Sequence, residues 1–282
     1  MGKTIAIANV KGGVGKTTLT NALAHQFSRE GKKVLVVDLD PQATQTFLFG
    51  VTPKQVYGTK HDITNAFSDK LVEPLPVAEN IDLIPSHRGL TVEAESGKSG
   101  KDMAIPSVIR EVEENYDYVL IDPAPTTGTL MTSTILASEY MIIPTKFSTA
   151  DKTGVMSLLT IINSLDRKFF KFMNLPPVKL IGIVPMGYRR RYSEHEKTIA
   201  DYKINIPSVV EKINNLELLN EDVILRHVLE RQAWVKAQAP DYNLPIHDYV
   251  EKYAREQKDI LLDLKLLANQ IQTLCEIPNK VS

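Results

Sequence analysis

The stretch "KGGVGKTT" at residues 11–18 decides the fold, and it departs from the ordinary phosphate-binding loop at one position. The common pattern G-x-x-x-x-G-K-[ST] fits Gly15, Lys16 and Thr17 but asks for glycine at position 10, where the chain has Val10. It also leaves Lys11 without a role. The flanks nevertheless suit a phosphate loop. "KTIAIAN" before it reads as a short buried strand, and "TTLTNALAHQFSREGK" after it carries apolar residues at helical spacing up to Gly31. Gly12, Gly13 and Gly15 let backbone N–H groups turn inward around an anion, and the following helix points its positive end at the same place. Lys16 is then placed to reach terminal phosphates, and the Thr17 hydroxyl to ligate Mg²⁺. A glycine-rich turn without ligand is the competing reading. The conjunction of strand, loop, Lys-Thr pair and helix weighs against it.

Working outward, β-like apolar runs recur at "KKVLVVDLD", "NIDLIP", "YDYVLID", "EYMIIPT" and "VKLIGIV", with helical periodicity between most of them. Strands alternating with helices predict an α/β fold: a doubly wound, mostly parallel sheet covered on both faces, in one domain over 1–282. "EAESGKSGKD" at 93–102 reads as a mobile surface loop, and the chain from about 246 to 275 as one long amphipathic C-terminal helix. Ligands in such sheets lie beyond the carboxyl ends of the strands, so strand ends carry the chemistry. The second strand ends in "VVDLDPQ". Alternation puts Asp38 and Asp40 on one side, where they can organise Mg²⁺ and its waters, orient a water for attack on a γ-phosphate, or simply cap a turn. "YDYVLIDPAP" closes another apolar strand on Asp122, the layout of a Walker B carboxylate that supports Mg²⁺. Together these strand ends supply the minimum for nucleotide hydrolysis.

Composition excludes other classes. The chain has 282 residues, 43% hydrophobic and 24% charged, which suits a soluble globular protein. Its one cysteine, Cys275, gives neither an internal disulfide nor a cluster, favouring a reducing, cytoplasmic compartment. No apolar run approaches a membrane span, and six scattered histidines lack ligand spacing.

"KGGVGKTT", "VLVVDLDPQ" and "YDYVLIDPAP", in this order and spacing, resemble the deviant Walker A ATPases of the ParA/Soj and MinD group. The similarity continues through "IIPTKFSTADKTG" and "RQAWVKAQAPDYNLPI". The resemblance implies ATP and Mg²⁺ as cofactors, slow hydrolysis and an ATP-bound homodimer. Lys11 would reach across that dimer to the phosphates held by the partner subunit. Gly12, Gly13, Val14 and Gly15 would wrap the phosphates, Lys16 bind them, Thr17 bind Mg²⁺ and Thr18 sit near the α-phosphate. Asp40 would position the attacking water, with Asp38 and Asp122 supporting the metal through its waters. Ala43-Thr44 after "DPQ", and Pro123 after Asp122, depart from the family's commonest form.

The same resemblance implies a partition ATPase that binds DNA nonspecifically, is associated with the nucleoid in its ATP state, and answers to a ParB-like adaptor. No helix-turn-helix precedes the loop, so the likeness is to the short partition ATPases. Charge distribution adds to this reading: residues 146–203 hold eleven Lys/Arg against five Asp/Glu, and "GYRRRY" at 187–192 concentrates three of them. A solvated basic turn explains such a triplet equally well. Lys171, Arg189, Arg190, Arg191, Arg226, Arg231 and Lys236 are the candidate DNA contacts. The alternative is a MinD-like, membrane-associated positioning ATPase, whose C-terminal helix binds lipid. Here Ile260, Leu261, Leu264, Leu267, Ile271 and Leu274 lie on that helix, but Glu256, Asp259, Asp263 and Glu276 suit anionic lipid poorly, so no membrane partner is expected. A nitrogenase-type iron protein would need cluster cysteines that the chain lacks.

Overall fold

The computed structural model describes residues 2–96, 100–188, 193–220, 222–226, 228–229, 237–238 and 243–276. Among the described residues, nine strands form one sheet in the order β3-β4-β2-β5-β1-β6-β7-β8, with β9 pairing β7. They are β1 (Lys3–Ile7), β2 (Val34–Leu39), β3 (Leu75–Ala78), β4 (Ile81–Ile84), β5 (Tyr118–Pro123), β6 (Tyr140–Thr145), β7 (Val178–Tyr188), β8 (Leu216–Leu218) and β9 (Val228–Leu229). Every pairing is parallel except β3 with β4. The expected doubly wound fold is therefore the observed one. Strands β2, β5 and β6 are buried at every residue, as "VLVVDL" in β2 requires of a parallel sheet with both faces covered.

The helices are α1 (Lys16–Arg29), α2 (Thr44–Leu48), α3 (Pro53–Val56), α4 (Gly89–Glu95), α5 (Ala104–Val112), α6 (Thr129–Ala137), α7 (Thr149–Ser164), α8 (Lys171–Met173), α9 (Ser193–Val210), α10 (Ile246–Tyr253) and α11 (Asp259–Cys275). One face of the sheet, bearing Ile5, Ile7, Val34, Val36, Leu120 and Ile142, packs on α1, α10 and α11. Leu19, Leu23 and Phe27 of α1 are wholly buried there. Each such side chain contributes about 1.5–3 kcal/mol by leaving water. On the other face, Leu35, Val37, Val119 and Ile121 pack on α4 and α5, while Ala6, Met141 and Ile143 pack on α6, α7 and α9. The switch in connection direction beside β1 opens a crevice at the carboxyl ends of β1, β2 and β5.

Two expectations are corrected. The single helix over 246–275 is two helices, because the polar run Arg255–Asp259 interrupts the apolar stripe and Ala254 leaves helical geometry at φ −141°, ψ 45°. The surface loop at 93–102 is shorter than expected: α4 runs to Glu95, and a 3₁₀ turn at Lys101–Met103 buries Lys101 over the Phe67 ring. Residues 97–99 lie outside the described set.

Candidate active site

The loop after β1 is built for an anion. Asn9, fully buried, donates its Nδ2 to the Pro144 carbonyl at 2.9 Å and accepts the Lys11 N–H on Oδ1 at 3.0 Å, which ties the loop's start to β6. Val14 plugs into the core, while Gly12 and Gly13 stay exposed. Gly15 has φ 100°, a conformation that favours glycine, and a Cβ there would also push on the Met186 methyl at 2.9 Å. No side chain caps α1, whose first N–H groups therefore face the loop's concavity. Lys16 is 7% exposed, and its ammonium donates to the Lys11 carbonyl at 3.3 Å. Burial pulls its pKa down, and Asp122 and Asp40 oppose that pull. A buried ammonium beside carboxylates at an uncapped helix N-terminus has the chemistry of a phosphate-binding site.

The two strand-end carboxylates lie side by side, because β2 and β5 pair in register at Asp38 and Asp122. Both are buried on the α1 face, yet their surroundings differ. Asp38 Oδ2 accepts from the Thr46 N–H at 2.8 Å and the Thr46 hydroxyl at 2.7 Å, while Oδ1 accepts from the Asp40 N–H at 3.1 Å. Neither Asp122 oxygen has a donor at hydrogen-bonding geometry among the described residues, although the Thr17 hydroxyl favours its charged form. Burial and the adjacent Asp38 push Asp122 well above the usual carboxylate range. Two unsatisfied buried oxygens beside Thr17 fit a Mg²⁺ position, and Asp38, with its oxygens already engaged, fits it less well. Asp40 lies just past β2, half-buried, with Oδ1 held by the Gln42 N–H at 2.8 Å.

Burial raises the Asp38 pKa to about 7 against the opposing bonds from Thr46 and Asp40. A folded-state pKa raised from 3.8 to about 7 favours folding at acid pH, and that contribution is lost as pH rises through about 7. The melting temperature of the nucleotide-free protein should accordingly fall from pH 5 to pH 8. In Asp38→Asn the decline should be shallower, with Asp122 supplying what remains; an unchanged slope in scanning calorimetry would show that Asp38 does not titrate there.

Lys11 is held away from the phosphate loop. Its ammonium pairs with Asp151 Oδ1 at 2.9 Å and reaches Ser148 Oγ at 3.4 Å. Asp151 closes a capping box at the start of α7, accepting the Ser148 N–H at 2.8 Å while Ser148 Oγ accepts the Asp151 N–H at 3.2 Å. Burial alone would raise the Asp151 pKa, but the bonds from Ser148 and Lys11 prevail and hold it below the ordinary value. Gly154 makes the approach possible: a Cβ there would meet Asn9 Oδ1 at 2.8 Å and Lys11 Cβ at 2.9 Å.

Comparison with known proteins places this geometry in a family. An AAA domain model matches residues 2–175. The chromosome-partitioning ATPase Soj of Thermus thermophilus is 34% identical over 187 residues, covering 66% of this chain and 70% of that one. The sporulation initiation inhibitor protein Soj of Bacillus subtilis is 28% identical, covering 87% and 90%. The chain belongs to the ParA/Soj-type P-loop ATPases. Its fold is also that of the Cyanothece McdA–ATP complex, with a TM-score of 0.76 at 22% identity over 100% of this chain and 99% of that one.

The remaining residues expected to act in this ParA/Soj-type chain fare unevenly. Arg189, Arg190, Arg191, Arg231 and Lys236 lie outside the described residues. Lys171 is exposed but paired with Asp166 at 2.9 Å. Arg226 is turned inward, its Nε and Nη2 donating to Asp263 Oδ1 of α11 at 3.1 and 2.6 Å. The linear charge excess at 146–203 is partly neutralised in space: Lys179 pairs with Glu139 and Lys203 with Asp222, both carboxylates from outside that window. Thr18, expected near the α-phosphate, donates to Gln238 Oε1 at 3.0 Å, linking α1 to the segment before α10. Sequence reasoning missed Asp151, Gly154 and Thr46. The capping box S-x-x-D at Ser148–Asp151 was visible as a helix start, but its reach to Lys11 spans 140 positions and only the fold supplies it.

Proposed function

We propose that the chain is an ATP-dependent partition ATPase that binds Mg²⁺ and ATP, forms a homodimer in the ATP state, binds DNA nonspecifically as that dimer, and is stimulated by a ParB-like adaptor. The carrying observation is the pair of lysines around one loop: Lys16 is buried against its own strand-end carboxylates, while Lys11 lies outside the loop on Asp151. A monomeric site uses the first only. The second is a charge in reserve for another subunit's phosphates.

In this reading the α1 N–H groups and Lys16 bind and orient the phosphates, and Thr18 contacts the α-phosphate once it leaves Gln238. Thr17 and Asp122 would hold Mg²⁺, which would supply charge neutralisation at the phosphates. Asp40, with Oδ1 anchored on the Gln42 N–H, offers Oδ2 to orient a water toward the γ-phosphate. Asp38 acts through the protein rather than as a water-bridged metal support.

The membrane-associated alternative is less well supported. Ile260, Leu264, Leu267, Ile271 and Leu274 of α11 are buried in the core, leaving Leu262 and Leu266 as its exposed large apolar side chains. No helix among the described residues is long and apolar enough to cross a membrane. A gel-shift assay on nonspecific duplex DNA tests the proposal. Binding should appear with Mg²⁺ and ATP, weaken with ADP and without nucleotide, and fall steeply with salt. Binding indifferent to nucleotide, or absent throughout, contradicts it.

A further inference from the structure

We propose that Thr46 is a positioning residue for hydrolysis: acting on Asp38, it sets the loop that carries Asp40. The inference rests on the reading of Asp40 as the water-orienting group. It follows from how one buried carboxylate is used. Asp38 holds the Asp40 N–H on one oxygen and the Thr46 N–H on the other, so the residues from Asp40 to Thr46 form a clasp pinned at both ends by a single side chain. Asp38 is wholly buried at the end of β2, which makes it a fixed point.

The clasp answers a need of α2. That five-residue helix begins after Ala43, which has φ 55° and no side-chain cap. A non-glycine residue in the left-handed region is strained by about 1–2 kcal/mol, and an uncapped start leaves the first N–H groups unsatisfied. The Thr46 N–H, third in the helix, is satisfied by Asp38 from the strand below, as an N-cap side chain would otherwise do.

The hydroxyl of Thr46 adds what the backbone cannot. It donates to Asp38 Oδ2 at 2.7 Å and accepts the Ser86 N–H at 2.9 Å, so the chain of bonds runs from Ser86 through Thr46 to Asp38 and on to Asp40. Thr46 and Ser86 are fully buried, out of contact with bulk solvent that could replace a lost partner. The hydroxyl thus fixes the α2 start against the segment after β4 as well as against β2. With valine in its place, Asp38 keeps the Thr46 N–H but loses its shortest donor, the Ser86 N–H is orphaned, and the Asp40 loop is free to shift. Displacements near 1 Å at a reacting group cost up to about a hundredfold in rate.

The test compares Thr46→Val, Thr46→Ser and Asp40→Ala in the full chain, measuring steady-state ATP hydrolysis and the Kd of a fluorescent ATP analogue. Thr46→Val should lower kcat about tenfold or more while Kd stays within about threefold, because the phosphate loop is untouched. Thr46→Ser, which restores the hydroxyl, should recover kcat to within about threefold of the parent. The proposal is overturned if Thr46→Val keeps kcat within about twofold, if kcat and binding decline together, or if serine fails to rescue. Should Thr46→Val not fold by circular dichroism, Thr46→Cys, a weak donor of similar size, carries the same expectation. An Asp40→Ala variant with parental kcat would refute the role of Asp40 instead, an outcome separable from the behaviour of Thr46.

Discussion

Lys16→Ala abolishes ATP binding. Lys16 is 7% exposed and, among the described residues, its ammonium has one acceptor, a backbone carbonyl at a long 3.3 Å, so its charge is directed at the loop's concavity rather than spent on the fold. Each charge-assisted bond to a phosphate oxygen contributes about 1.5–3 kcal/mol, and two such bonds lost weaken binding by roughly 10²–10⁴. Titration calorimetry on the variant should show no heat of binding at ATP concentrations that saturate the parent. The folded state should survive, because alanine relieves a buried charge. A Kd within about tenfold of the parent would mean that the loop's N–H groups suffice, and the phosphate assignment of Lys16 would be wrong.

Lys11→Ala should behave differently. Its ammonium is paired with Asp151, so its removal should leave ATP binding by the monomer within about threefold of the parent, while dimerisation and hydrolysis fall about tenfold or more. The complementary change is Asp151→Asn. The amide oxygen keeps an acceptor for the Ser148 N–H, so α7 stays capped, but the ion pair is gone and Lys11 is released. A pair with one buried and one partly exposed partner is worth about 1 kcal/mol, and a dimer releases one from each subunit, so Asp151→Asn should strengthen ATP-state dimerisation about thirtyfold. Sedimentation equilibrium on both variants reads these shifts. Loss of ATP binding in Lys11→Ala as complete as in Lys16→Ala would place Lys11 in its own subunit's site. Unchanged dimerisation in Asp151→Asn would show that the ion pair does not restrain it.

The fold was legible because its signals are local. Continuous runs such as "VLVVDL" and "YVLID" have no reading but buried parallel strands, and glycines followed by Lys-Thr at a helix start have few alternatives. The short strands β3, β8 and β9 were missed, since two to four residues carry too little pattern and are held by pairing with β4 or β7. The C-terminal helix was overextended because apolar spacing on either side of Arg255–Asp259 is helical, while the break itself is a tertiary choice.

The site was legible by residue type and less so by role. Asp38 and Asp122 occupy equivalent strand ends and look alike in sequence, yet among the described residues one has three donors and the other none at hydrogen-bonding geometry. That difference comes from α2 folding back over β2, which places Thr46 on Asp38 and leaves Asp122 open toward Thr17. Arg226 shows the converse limit. Counted as a surface cation, it is committed to a buried aspartate on α11, a pairing that no linear charge count contains.

The central claim is that nucleotide gates a dimer through Lys11, and the most direct measurement is molar mass by light scattering of the hydrolysis-impaired Asp40→Ala chain in Mg²⁺ with ATP or ADP. The ATP sample should elute at twice the 31.5 kDa chain mass and the ADP sample at the single-chain mass, with Lys11→Ala added to Asp40→Ala holding both at the single-chain value. A dimer that forms equally in ADP, or that persists in ATP without Lys11, would contradict it.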